Sequence, residues 1–146
     1  VRAAGAASRI FEGEILRPPG DPRDYRAVTL ANGLRALIVS DPETTTAAAT
    51  LSVHLGFYSD PEELPGLAHF CEHMLFLGTE EFPDEKSFRT FVSTNGGTHN
   101  AFTAETATTY YFDVLPGALK EGLERFTSFF KSPLFTPSAT DRELNA

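Results

Sequence analysis

The chain has 146 residues, of which 41% are hydrophobic and thirteen are phenylalanine. This length and apolar content predict a single folded globular domain and argue against a disordered chain. The formal net charge of −8 argues against nucleic acid or an anionic membrane as the main partner, and one cysteine excludes an intrachain disulfide framework.

Targeting signals are weak along the chain. No apolar run approaches the roughly 20 residues that span a bilayer, so no membrane partner is expected. The first residues lack the continuous apolar stretch of a secretory signal, which favours a cytoplasmic location. Arg2 and Arg9 among alanines and serines leave a mitochondrial location as the alternative, although Glu12 and Glu14 follow soon afterwards.

The first predicted elements are an extended segment and a hairpin. Breakers such as Pro18-Pro19-Gly20 predict an extended lead-in over residues 1–24, so the structured domain is expected to cover residues 25–146. Two β-prone runs, 25–30 and 34–40, are joined by Asn32-Gly33, a dipeptide that readily takes the positive φ angles of a tight hairpin.

A half-buried strand and two helices are predicted next. Residues 47–57 alternate, with Leu51, Val53 and Leu55 on the apolar face. A helix is predicted over residues 67–77, stopped by Gly78. A second helix is predicted over residues 84–94, and its core face carries Phe88, Phe91 and Val92.

The last third of the chain predicts two strands and two helices. Two strands are expected over residues 98–114, where Thr108, Tyr110, Phe112 and Val114 alternate with more polar positions. A helix should follow Pro116, with Leu119, Leu123, Phe126 and Phe130 at helical spacing up to Ser132-Pro133. Thr136, Ser138 and Asp141 are N-cap candidates for a last helix. These elements predict an α+β fold, a mostly antiparallel sheet with helices packed on it.

The string His69-Phe70-Cys71-Glu72-His73 carries the clearest chemistry. On a helical wheel Glu72 lies close to both His69 and His73, while the neighbouring apolar residues occupy the opposite arc. Two histidines at i and i+4 can bind one Zn²⁺ ion, and a carboxylate between them is placed to act as general base toward a metal-bound water. His-x-x-Glu-His therefore predicts a zinc hydrolase site.

Three other residues with reactive side chains have ordinary interpretations. His54 is expected on the polar face of a strand, and His99 in a turn that could lie near the site. Cys71 falls on the apolar arc of the motif helix, so burial as a small hydrophobic residue is its expected role.

The order His-x-x-Glu-His, reversed from the commoner zinc-peptidase helix, is the inverzincin signature. The wider string from Gly66 to Thr79 resembles the insulin-degrading enzyme branch of the pitrilysin-type zinc peptidases, as do Asn100-Ala101-Phe102-Thr103 and Tyr110-Tyr111-Phe112-Asp113-Val114. The resemblance runs from about residue 25 to the end. It implies a zinc endopeptidase that acts on small peptides and is built as two homologous halves around a chamber.

The resemblance also implies roles for single residues. His69 and His73 would be metal ligands of one Zn²⁺ and Glu72 the catalytic base. Asn100, Ala101 and Phe102 match a stretch that pairs with substrate as an added strand. Glu143 matches an acidic residue on the helix that carries the third ligand, so it is expected beside the site.

In the family the third ligand is a glutamate, and ungapped spacing would place it roughly four residues beyond Ala146. This chain is therefore expected to be the N-terminal part of the first half, a fragment that is inactive by itself. Expected partners are peptide substrates and the C-terminal half, or a full-length homologue, that closes the chamber. A homo-oligomer also stays open.

Two alternatives to this endopeptidase remain. One is a truncated, non-catalytic paralogue that binds peptides or pairs with a subunit through the strand around Asn100. The other is an organellar presequence-processing peptidase, which shares the inverted motif. The Cys71 context and the string from Tyr110 to Val114 favour the insulin-degrading branch over the organellar one.

Overall fold

The chain divides into two compact units, Val1–Thr44 and Thr45–Ala146, called here the N-terminal unit and the C-terminal unit. The computed structural model describes residues 8–145. No helix within this range is long and apolar enough to cross a membrane.

The N-terminal unit contains one antiparallel sheet in the order β1-β2-β3. Its strands are β1 (Arg9–Ile10), β2 (Asp24–Thr29) and β3 (Arg35–Ser40). The hairpin predicted from Asn32-Gly33 is confirmed, with Thr29 paired to Arg35 at its closed end. Regular structure begins earlier than the predicted residue 25, because Arg9 and Ile10 pair with the edge of β2.

The hairpin loop differs from a two-residue turn. The Leu30 amide donates to the Leu34 carbonyl oxygen at 2.8 Å, so the loop spans residues 31–33. Within this loop only Gly33 has a positive φ, +89°. The side chain of Asn32 accepts a hydrogen bond from the Leu34 amide. A loop with glycine in the left-handed position is a common hairpin connection after the two-residue forms.

The C-terminal unit contains a second antiparallel sheet in the order β4-β6-β5, covered by helices. Its strands are β4 (Ala47–Val53), β5 (His99–Thr103) and β6 (Thr108–Val114), and its helices are α1 (Leu67–Leu75), α2 (Ser87–Thr94), α3 (Leu119–Ser128) and α4 (Pro137–Leu144). The α+β class with a mostly antiparallel sheet is therefore confirmed.

An aromatic core holds the helices on this sheet. Strand β6 buries every second residue, as its alternation predicts: Thr108, Tyr110, Phe112 and Val114 are all buried. Phe88 of α2 packs edge-to-face on Phe112, with ring centroids 5.5 Å apart. The cluster also includes Leu75, Val92, Phe126 and Phe129. Burying several aromatic side chains in one place is a large source of stability.

Three apolar positions were wrongly predicted to face the core. Strand β4 ends at Val53, where it pairs with the first residue of β6. Val53 and Leu55 are therefore exposed beyond the covered part of the sheet. In α3 the exposed residue is Leu123 and the buried one is Gly122, where an added Cβ would lie 2.7 Å from the Phe112 ring. The helix approaches the sheet through glycine because no side chain fits there.

Helix ends also differ from the predicted bounds. Helix α1 stops two residues before the predicted Leu77, and Gly78 follows with φ +100°. Helix α2 starts at Ser87, because the Asp84 carboxylate accepts the Lys86 amide and forms a turn before the helix. Of the N-cap candidates for α4, Thr136 occupies the cap position, without a side-chain capping bond.

Candidate metal centre

Helix α1 carries His69, Glu72 and His73, and its start is fixed by an aspartate outside the helix. The Asp60 carboxylate accepts hydrogen bonds from the Gly66 amide at 2.7 Å and the Ala68 amide at 2.8 Å. These amides belong to the first turn, which has no partners within the helix. Asp60 therefore holds the end of α1 that leads directly into the histidine pair.

The two histidine rings point their Nε2 atoms at each other. The Nε2 atoms of His69 and His73 are 3.1 Å apart, and both side chains are exposed. Their rings cross edge-to-face with centroids 4.7 Å apart. Together with the Glu72 carboxylate, they place three potential ligand atoms within 4.8 Å of one another. The structure thus brings together the three residues that the motif singles out.

Helix α4 supplies a carboxylate to the second histidine. His73 Nδ1 lies 2.9 Å from Glu143 Oε2. Because an ionised carboxylate only accepts, Nδ1 must carry the proton and donate it. A neutral His73 then has its lone pair on Nε2, the atom that faces His69. Glu143 therefore selects the tautomer and ring orientation that a metal ligand requires.

The environment of Glu72 differs from that of the two histidines. It is only 7% exposed, although it shares their helix face. Thr103 of β5 donates its hydroxyl to Glu72 Oε2 at 2.5 Å. The Thr108 hydroxyl lies 3.4 Å from the Thr103 hydroxyl and donates to the Leu55 carbonyl oxygen at 2.8 Å. The Thr103 contact fixes one carboxylate oxygen, and the other accepts no hydrogen bond from residues 8–145.

The donor set fits zinc. Two nitrogens that bind one tetrahedral Zn²⁺ at 2.0–2.1 Å should lie about 3.3 Å from each other. The observed Nε2 separation of 3.1 Å is close to that value. Imidazole nitrogen is also a preferred zinc ligand, and the Glu143 contact to Nδ1 is the carboxylate–histidine arrangement typical of zinc sites.

An open pocket of about 480 Å³ adjoins the centre. Glu72, His73 and Glu143 form the wall on the side of the metal centre, and Phe76, Leu77 and Ala101 add apolar surface. The remaining wall comes from the start of α2, from β5 and from α4, through Glu85, Lys86, Arg89, His99, Asn100 and Arg142.

The three predicted substrate-contacting residues lie on β5, one of the two edge strands of the sheet. Asn100 and Phe102 are exposed, and Ala101, which lines the pocket, is half-buried. Asn100 Oδ1 accepts the Ala101 amide at 2.9 Å. That amide therefore points along the outer side of the strand and is bonded to a side chain instead of to β6.

The remaining reactive residues have structural surroundings. Cys71 is half-buried, and burial raises the pKa of its thiol. His54 is exposed. His99 lies in β5 instead of the predicted turn. Its ring centroid is 5.4 Å from those of Phe76 and Phe88. Burial, and then the charge of Arg89, lower the pKa of His99.

Sequence reasoning missed three residues that shape the site. Asp60 caps α1, Thr103 holds Glu72, and Tyr110 lies beneath the motif, where burial and then Cys71 and Glu72 raise the pKa of its hydroxyl. Thr103 belongs to the quoted string Asn100-Ala101-Phe102-Thr103, whose alternation puts it on the inner face of β5 with Ala101. That alternation was the available signal.

Comparisons with known proteins identify the family of this chain. The family model described as Insulinase (Peptidase family M16) matches residues 35–146. Insulin-degrading enzyme of Drosophila melanogaster is 57% identical over 86% of this chain and 13% of its own length. Insulin-degrading enzyme of Homo sapiens is 50% identical over 90% of this chain and 13% of its own length.

A solved structure shows the same fold. The crystal structure of pitrilysin superposes with a TM-score of 0.90 at 33% identity, covering 95% of this chain and 15% of the pitrilysin chain. The present chain thus spans a small part of the length of the proteins it matches. By sequence and by fold, this chain belongs to the insulinase family of peptidases, family M16, whose cofactor is zinc.

Proposed function

We propose that this chain supplies the metal ligands and the general base of a zinc metalloendopeptidase that hydrolyses small peptides. The observation that carries the proposal is the Nε2 separation of 3.1 Å between His69 and His73, with the Glu72 carboxylate beside them. The names of the relatives, insulin-degrading enzymes of several organisms, support small peptides as the substrate class.

His69 and His73 would hold the zinc ion through Nε2, with Glu143 keeping His73 in the required tautomer. When bound, zinc would lower the pKa of a water molecule toward neutrality and would polarise the substrate carbonyl. A catalytic zinc has three protein ligands. The two histidines provide two of these ligands. We propose that a carboxylate elsewhere in the full-length gene product is the third ligand.

Glu72 would move the proton during hydrolysis. Its carboxylate takes a proton from the attacking water and delivers it to the leaving amine as the peptide bond breaks. Thr103 holds Oε2, so the second oxygen is the one available for this transfer. Because the carboxylate is buried at 7% exposure, its orientation is set by the protein and not by solvent.

Strand β5 would position the substrate. An extended peptide can add to the open edge beside Asn100, Ala101 and Phe102, with main-chain hydrogen bonds setting its register. The Ala101 amide is bonded only to the Asn100 side chain among the described residues, and that bond can be exchanged for a substrate carbonyl. The added strand would lie close to Glu72, because Glu72 contacts β5 through Thr103.

Metal removal tests the proposal. The full-length gene product should cleave an internally quenched peptide of about ten residues, lose activity in a strong chelator and regain it with one equivalent of zinc. His69→Ala and His73→Ala should prevent zinc from restoring activity, whereas His54→Ala, at an exposed position after β4 and outside the site, should not. Cleavage that persists in both site variants would contradict the proposal.

A non-catalytic peptide-binding role is the second candidate, favoured by the open edge of β5, which does not depend on the histidine pair. It predicts stoichiometric peptide binding without cleavage in the presence of zinc. An organellar presequence-processing role stays a prediction within the enzyme class, as do the cytoplasmic and mitochondrial locations.

A further inference from the structure

We propose that the pocket beside the metal centre binds a carboxylate of the substrate peptide through Arg89 and Lys86. This inference rests on the proposed peptidase function and names a substrate preference for it. The pocket is the open cavity of about 480 Å³ between α1, the start of α2, β5 and α4.

The first step is the pairing of the charged groups in the pocket wall. All three carboxylates have partners: Glu72 accepts from Thr103 and Glu143 accepts from His73. Glu85 accepts from Arg142 at 2.5 Å. Each carboxylate is therefore bonded to a group other than Lys86 and Arg89, so none of the three occupies those two cations.

The second step concerns the two remaining cations. Lys86 and Arg89 line the same pocket, and no side-chain partner is found for either among residues 8–145. They are three residues apart at the start of α2, a spacing that places side chains on one helix face. Burial, and then the charge of Arg89, lower the pKa of His99, which lines the same pocket. Two cations without a side-chain partner among the described residues therefore line a cavity in which every carboxylate already has another hydrogen-bond partner.

The third step is the shape of the pocket. Phe76, Leu77 and Ala101 provide apolar surface in the same pocket wall. A glutamate side chain has two methylene groups for such a surface and a carboxylate at its end. Guanidinium groups bind carboxylates through two parallel hydrogen bonds, which makes Arg89 the stronger contact. A glutamate near the cleaved bond matches this arrangement, and the terminal carboxylate of a short peptide offers the same chemistry.

Cleavage profiling of the full-length gene product tests the inference. Peptides blocked at both ends should be cut about fivefold faster, in kcat/KM, when a glutamate next to the cleaved bond replaces glutamine, since a partly exposed charge pair gives a preference of this size. A second pair, with free and amidated C-termini, distinguishes a side-chain carboxylate from a terminal one. Mass spectrometry of the products shows which peptide bond is cleaved, and therefore on which side of that bond the glutamate is recognised.

Charge reversal identifies the residues responsible. Arg89→Glu should remove the preference for glutamate and favour lysine at the same position, and Lys86→Glu should weaken the preference. Lys120→Glu, an exposed site on α3, makes the same change in net charge and should leave the preference intact. An equal preference in Arg89→Glu and the wild type would overturn the inference.

The two proposals fail in different ways. If the wild type cleaves nothing, the peptidase proposal fails, and fluorescence anisotropy with the same labelled peptides decides the pocket inference. Tighter binding of the glutamate peptide, lost in Arg89→Glu, would support the carboxylate site without catalysis. Equal cleavage rates within both peptide pairs, glutamate against glutamine and free against amidated C-termini, would reject the carboxylate site and keep the peptidase.

Discussion

The two units of this chain are stabilised differently. The C-terminal unit buries an aromatic cluster around Phe88, Phe112 and Phe126 beneath the helix that carries the motif. In the N-terminal unit none of the described residues, 8–44, is buried, and Leu37 and Ile38 of β3 are more than half exposed. The contrast teaches that the candidate site belongs to the unit with a packed core, which a site of fixed geometry requires.

The largest effect should come from the core. Phe112→Ala removes a ring that is 1% exposed and should destabilise the C-terminal unit by about 3–5 kcal/mol through lost burial and a cavity. Leu37→Ala in the N-terminal unit, at 62% exposure, should cost about 0.5 kcal/mol or less. Urea denaturation followed by circular dichroism measures both, and equal losses would erase the contrast between the units.

The next largest effect should be on metal affinity. Glu143→Gln keeps an oxygen beside His73, but an amide can also donate and carries no charge, so the tautomer is no longer fixed and the imidazole is less basic; zinc should bind about 10–100-fold more weakly. Competition with a chromophoric chelator measures the change. Glu43→Gln, the same substitution at an exposed site of the N-terminal unit, is the control. An unchanged affinity in Glu143→Gln would mean that the contact has no influence on the ligand.

A smaller effect should follow from the hydroxyl that holds the base. Thr103→Val keeps the shape of the side chain but removes the donor to Glu72, so kcat should fall by about tenfold while KM changes little. Thr103→Ser restores a hydroxyl and should restore most of the rate. A valine variant with wild-type kcat would show that the buried carboxylate is oriented without this bond.

The smallest effect is the pH dependence contributed by His99. Burial lowers its pKa below the ordinary value of 6.5, so the unfolded chain binds this proton more readily than the folded chain. The stability that neutral His99 contributes is present above pH 6.5 and is lost as the pH falls through the lower folded pKa. His99→Gln should flatten the stability profile of the C-terminal unit below pH 6.5. His54→Gln, at an exposed position, should leave it unchanged, and identical profiles for His99→Gln and the wild type would contradict this origin.

Local periodicity accounts for the part of the site that the sequence could predict. The i, i+4 spacing put His69 and His73 on one face of α1, and the alternation of β6 identified its buried residues before any contact was known. The burial of Glu72 could not be predicted in this way, because its partner Thr103 lies 31 residues further along the chain. Pairing between distant segments leaves no local pattern. For the same reason, the spacing of α3 did not show that Gly122, and not Leu123, faces the core.

The measurement that tests the site most directly is zinc content and peptidase activity in the same sample of Glu72→Gln, prepared in the full-length gene product. If Glu72 is the general base, the variant should keep one zinc per chain and bind substrate, while kcat falls by about 10²–10⁴-fold. Wild-type activity in the zinc-loaded variant, or loss of the metal together with activity, would contradict the role assigned to Glu72.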